Sequence, residues 1–202
     1  LCEHFLTRIA EHDDERIYLR TTAERGCAEA AAASERAAAG TRRSRLDGVP
    51  ISWKDLYDTA GIATEGGTPL LAGRVPERDA TVLSRATRAG LICLGKTNTV
   101  QFALGGVGTN PATGTPANAV MEDTPRAPGG SSCGAATSVA RGLAAAGIGS
   151  DTGGSVRIPA AWNRLVGLKT SFGALPCEGV LPLSTSFDTV GPLTHDVADA
   201  AA

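Results

Sequence analysis

The sequence predicts an α/β fold in one domain spanning residues 1–202. Three observations predict it: helix-forming composition over the first forty residues, short β-branched runs separated by a helical stretch, and glycine-serine loops flanking an alanine-rich segment. Cys2 to His12 and Thr21 to Ala39 are rich in Ala, Glu and Arg with few breakers before Gly40, which predicts two N-terminal helices within residues 1–40. Val49 to Trp53, after Asp47-Gly48, reads as a strand. Asp79 to Arg88 reads as a helix stopped at Ala89-Gly90, and Leu91 to Leu94 as a second strand. A strand, a crossover helix and a strand at that spacing predict a parallel pair. Pro128 to Ser132 is a loop feeding a helix from Gly134 to Ala146. Gly147 to Ser155 is a second loop, Leu165 to Leu168 a further strand, and Asp196 to Ala202 the first turns of a helix. No repeat is present.

Composition narrows the functional classes. At 42% hydrophobic and 20% charged residues, the chain has the make-up of an ordinary globular protein. Its 25 glycines and 11 prolines exceed the usual share and must sit in loops or close-packed backbone, and only 4% of residues are aromatic. A formal net charge of −2 lacks the basic footprint of a nucleic-acid binder. Five scattered cysteines without a C-x-x-C pair predict reduced thiols and a cytoplasmic protein. The three histidines form no H-E-x-x-H, so no metal is expected. Thr97 to Met121 carries no charge, but its Gly-Gly, Asn-Pro and Thr-Pro steps suit a buried or site-lining loop better than a membrane helix. No signal peptide is recognisable, the missing initiator Met predicts a fragment, and the helix begun at Asp196 predicts a chain cut off in progress at its C-terminus.

Three places combine a reactive side chain with backbone able to approach a ligand. Lys54 closes a strand that should be buried, where desolvation would lower its pKa and make it a base. The plain alternative is an ion pair with Asp55 or Asp58. Pro128-Gly-Gly-Ser131-Ser132-Cys133-Gly134 is either a turn with an N-cap serine or, through Gly130, Ser132 and Gly134, a G-x-S-x-G nucleophile elbow. The elbow needs a preceding strand, which the two prolines of Asp123 to Pro128 oppose. Gly149-Ser-Asp151-Thr152-Gly153-Gly154-Ser155-Val-Arg157 could turn several N–H groups toward one point as an oxyanion nest. Its loose likeness to a dinucleotide loop lacks the strand that such a loop follows.

Together these segments resemble the amidase signature family. The likeness runs in order through Gly48-Val-Pro-Ile-Ser-Trp-Lys-Asp-Leu56, Gly95-Lys-Thr-Asn98, the Gly-Gly-Ser-Ser loop, Gly149 to Pro159, Gly167-Leu-Lys-Thr170 and Gly191-Pro-Leu193. The resemblance implies a mixed, largely parallel central sheet with helices on both faces, here its N-terminal half, with a catalytic core over residues 48–193. It also implies amide hydrolysis by a Ser-Ser-Lys triad without cofactor. Ser155 would be the nucleophile, Ser131, in a cis peptide, the bridging serine, and Lys54 the base. Ser132 would support Lys54, with Asp151 and Arg157 as supporting residues. The N–H groups of Thr152, Gly153, Gly154 and Ser155 would form the oxyanion hole. Implied partners are a small-molecule amide and, for an oligomer, further copies; neither a membrane nor direct nucleic-acid contact is expected.

Two readings stand beside the amidase. One is the glutaminase component of an aspartyl- or glutamyl-tRNA amidotransferase, which would work with partner subunits; the other is a truncated, non-catalytic module. Two positions depart from the family pattern. Cys133 replaces a glycine and would be strained if its φ were positive, and Gln101 replaces a glutamate.

Overall fold

The structure, a computed structural model, describes residues 1–120 and 123–202; Met121, the end of the uncharged stretch, lies outside the described residues. Its helices are α1 (Cys2–Glu11), α2 (Ala23–Ala38), α3 (Thr81–Ala89), α4 (Cys133–Ala140), α5 (Arg157–Trp162) and α6 (Val197–Ala201). Six strands, β1 (Tyr18–Thr21), β2 (Pro50–Lys54), β3 (Ile92–Thr97), β4 (Ala146–Asp151), β5 (Val166–Gly167) and β6 (Thr189–Thr194), form one mixed sheet in the order β1-β3-β2-β4-β6-β5. β2 runs parallel to both β3 and β4, and the three outer pairings are antiparallel.

The alternation of side chains along the central strands sorts the two faces. Ile51, Trp53 and Cys93 meet Leu83 of α3 and Tyr57, while Ile92 and Leu94 meet Cys2, Phe5 and Ala30 of α1 and α2. Ala135 and Ala136 of α4 and Ala160 of α5 pack with Leu193. Helices thus cover both faces. α3 ends where expected, with Gly90 left-handed at φ 97° and pressed against Asp47.

Three sequence expectations are corrected. The helix predicted to run from Gly134 to Ala146 stops at Ala140, and the glycine loop predicted from Gly147 is strand β4 as far as Asp151. Its glycines serve close packing: a Cβ on Gly147 would lie 2.8 Å from Ala135 O, and one on Gly149 2.6 Å from Ser132 Oγ. Strands β1 and β6 are additions to the predicted set. Gly134 is equally confined, since a Cβ there would lie 2.6 Å from Ile17 O and closer still to Asn98 N, both backbone atoms. Gly134→Ala should therefore lower stability by about 1–3 kcal/mol, read as a shift of the urea midpoint at constant slope. Among the described residues, no helix is long and apolar enough to cross a membrane.

Candidate active site

β2, β3 and β4 are parallel, so their C-terminal ends open at one edge of the sheet, where α/β folds bind ligands. Lys54 stands at that edge with a wholly buried side chain. Neither predicted ion pair forms: Asp55 faces Lys96, 3.1 Å away, and Asp58 pairs with Arg74. Instead, Lys54 Nζ lies 2.6 Å from Ser131 Oγ and 2.9 Å from Ser150 Oγ. Burial pushes the Lys54 amine down to about 7, against weaker upward pulls from Cys133, Asp151 and Asp188.

Ser131 follows a cis Gly130–Ser131 peptide and is fully buried. The loop is pinned on both sides. Gly130 N–H donates to Gly106 O at 2.8 Å, Val100 N–H to Ser131 O at 3.2 Å, and Ser132 N–H to Ser155 O at 3.2 Å. Among the described residues no strand leads into it, whereas a nucleophile elbow requires one. Two neighbours differ from expectation. The Ser132 hydroxyl, predicted to support Lys54, donates to Ser150 O at 3.3 Å instead. Cys133 is the first residue of α4 and is absent from the positive-φ positions, so the expected strain does not arise. Burial pushes its thiol up to about 12, leaving a poor nucleophile. Gln101 opens a 3-10 turn through Ala103, in which Phe102 (φ 50°) and Ala103 (φ 61°) are left-handed.

The loop after β4 presents Ser155, 8% exposed and next to Gly154 (φ 133°). A Cβ at Gly154 would meet Ile158 Cδ1 at 2.7 Å, so a side chain there is opposed by both space and backbone. Asp151 organises this loop. Its carboxylate accepts from the N–H groups of Gly154 (2.7 Å), Val156 (3.0 Å) and Arg157 (3.3 Å), and from Arg157 Nε and Nη2 at 3.0 Å each. Burial alone would raise the carboxyl, but the guanidinium and these N–H groups hold it below its usual range. Of the four N–H groups expected to form an oxyanion nest, one is already engaged. Gly154 N–H is committed to Asp151, whereas those of Thr152, Gly153 and Ser155 have no partner among the described residues.

Two further residues join the site: Ser150, which lies inside the Gly149 to Arg157 string but has no expected role there, and Asp188, which no motif marks. Ser150 shares the Lys54 amine, and Asp188 accepts from the Thr152 hydroxyl and from the N–H groups of Leu183 and Ser184. Recognising β4 as the strand beside β2 would have placed Ser150 next to Lys54. Among the described residues, no three His, Cys, Asp or Glu side chains gather as metal ligands.

The sequence matches the amidase family over residues 1–202. It is 45% identical to a glutamyl-tRNA(Gln) amidotransferase subunit from Anaeromyxobacter sp. (strain K), across the whole of this chain and 41% of that protein. It superposes on the native peptide amidase of Stenotrophomonas maltophilia with a TM-score of 0.91 at 36% identity, covering 100% of this chain and 42% of the other. A crystal structure of an amidase gives a TM-score of 0.90 at 42% identity, covering 98% and 45%. The chain thus spans about two fifths of the length of the relatives it matches.

Proposed function

Because this chain belongs to the amidase family, we propose that it carries the catalytic centre of an amide hydrolase, with Ser155 as nucleophile, Ser131 as relay and Lys54 as base. The observation that carries this reading is the buried 2.6 Å contact between Lys54 Nζ and Ser131 Oγ, in a loop whose next residue, Ser132, donates its N–H to Ser155 O. A lysine held near neutrality can take the Ser131 proton while Ser131 takes that of Ser155. The Ser155 hydroxyl has no partner among the described residues, and catalytic hydrogen bonds of this kind commonly tighten once substrate is bound. Ser155 Oγ then adds to the amide carbonyl. The N–H groups of Thr152, Gly153 and Ser155 hold the oxyanion, the relayed proton leaves with ammonia or an amine, and water reverses the steps on the acyl-enzyme. No cofactor is required.

The second reading, the glutaminase component of an amidotransferase, draws on the name of the 45% identical relative. Ammonia release from glutamine and from simple aliphatic and aryl carboxamides separates the two. Glutamine as preferred substrate, with turnover raised by partner subunits, supports the amidotransferase; turnover of the simple amides without partners supports the amidase. If no carboxamide is turned over and a fluorophosphonate leaves Ser155 unlabelled, the non-catalytic reading holds.

A further inference from the structure

An amine that works as a base has one lone pair and two N–H bonds, and only the lone pair can receive a proton from Ser131. Rotation about the Cε–Nζ bond would point it elsewhere most of the time. Ser150 supplies what prevents this: its Oγ lies 2.9 Å from Lys54 Nζ, and its backbone is fixed within β4 opposite Val190 of β6. It is 6% exposed, so water does not readily replace it. Among the described residues, Ser131 and Ser150 are the hydrogen-bond partners of the Lys54 amine. We propose that Ser150 is a positioning residue whose hydroxyl oxygen accepts one Nζ–H of Lys54 and so aims the amine lone pair at the Ser131 hydroxyl. This inference rests on the reading of Lys54 as base. It gives Ser150 the role that the sequence motif suggests for Ser132, whose own hydroxyl is tied to the β4 backbone.

The role has a signature that loosened packing does not share. Ser150 Oγ accepts more strongly from an ammonium than from an amine, so removing it destabilises the charged form and lowers the Lys54 pKa further. More of the base is then deprotonated at neutral pH, yet it works more slowly because its lone pair is no longer held. Loosened packing that admits water would instead move the pKa back up.

The experiment compares the wild-type chain, Ser150→Ala and Ser150→Thr. It follows the lysine side-chain NMR titration of Lys54 and the rate of Ser155 labelling by a fluorophosphonate across pH. Ser150→Ala is expected to slow labelling at its high-pH plateau roughly tenfold to a hundredfold and to move both midpoints about one unit lower. Threonine, which keeps the hydroxyl, should restore both. An unchanged plateau and midpoint in Ser150→Ala overturns the proposal. So does a threonine variant as slow as alanine while melting like wild type. Wild-type labelling rates in Lys54→Ala would instead remove the base assignment itself. If nothing labels, the NMR midpoint alone decides: a fall in Ser150→Ala supports the contact's role and an unchanged value overturns it.

Discussion

Ser155→Ala is expected to lower amide turnover by about 10⁴-fold or more and to abolish fluorophosphonate labelling, with the melting temperature unchanged. The two halves of that expectation have separate causes. Ser155 Oγ is the atom that would bond to the carbonyl carbon, and an alanine leaves the Lys54–Ser131 pair with no nucleophile to activate. Stability should survive because the hydroxyl has no partner among the described residues. The loop's backbone is held by other contacts, Ser132 N–H on Ser155 O and the Asp151 carboxylate on Gly154, Val156 and Arg157. Intact-protein mass spectrometry after exposure to the probe, with peptide mapping, reads the result. Adduct on Ser132, or labelling that persists in Ser155→Ala, would sink the assignment.

The residues proposed for the relay were legible in the sequence because each lies in a string whose types and spacing are unusual together: a lysine closing an apolar run, then two glycine-serine loops. The strands that present them were harder to see. β4 reads Ala-Gly-Ile-Gly-Ser-Asp, and its glycines suggest a loop until the packing of α4 shows why no side chain fits there. β6 contains Gly191-Pro192, which composition argues against as a strand. Yet the Pro192 carbonyl accepts from Leu168 N–H, and the residue is paired with Ile148 across the sheet, a tertiary fact that local propensity does not carry. The same applies to the hydrogen-bond partners. Ser132 and Ser150 are both serines in recognisable motifs, and only the side-by-side placement of β2 and β4 decides which one reaches Lys54.

Lys54→Met should lower activity by an amount comparable to loss of the nucleophile, and Lys54→Arg should not rescue it, because a guanidinium stays protonated and cannot act as a base. In the wild-type chain, activity should rise with pH as Lys54 deprotonates through about 7 and level off above it. Replacing His195, whose ring contacts Val139 O at 3.1 Å, should leave that profile in place. The same titration has a consequence for folding. The Lys54 pKa is lowered in the folded state, so between about 7 and 10.5 the unfolded chain binds the proton that the folded chain has released, and stability rises with pH across that window. Below about 7 the folded protein carries a buried ammonium, at a cost on the order of 5 kcal/mol relative to the high-pH limit. Lys54→Met removes that charge while keeping most of the volume, so the variant should be inactive yet more stable than wild type at pH 6, with the gap closing toward pH 10. Urea denaturation at the two pH values tests this. A methionine variant less stable than wild type at pH 6, or an activity profile flat from pH 5 to 9, would show that Lys54 is held as a charged structural lysine rather than as the base.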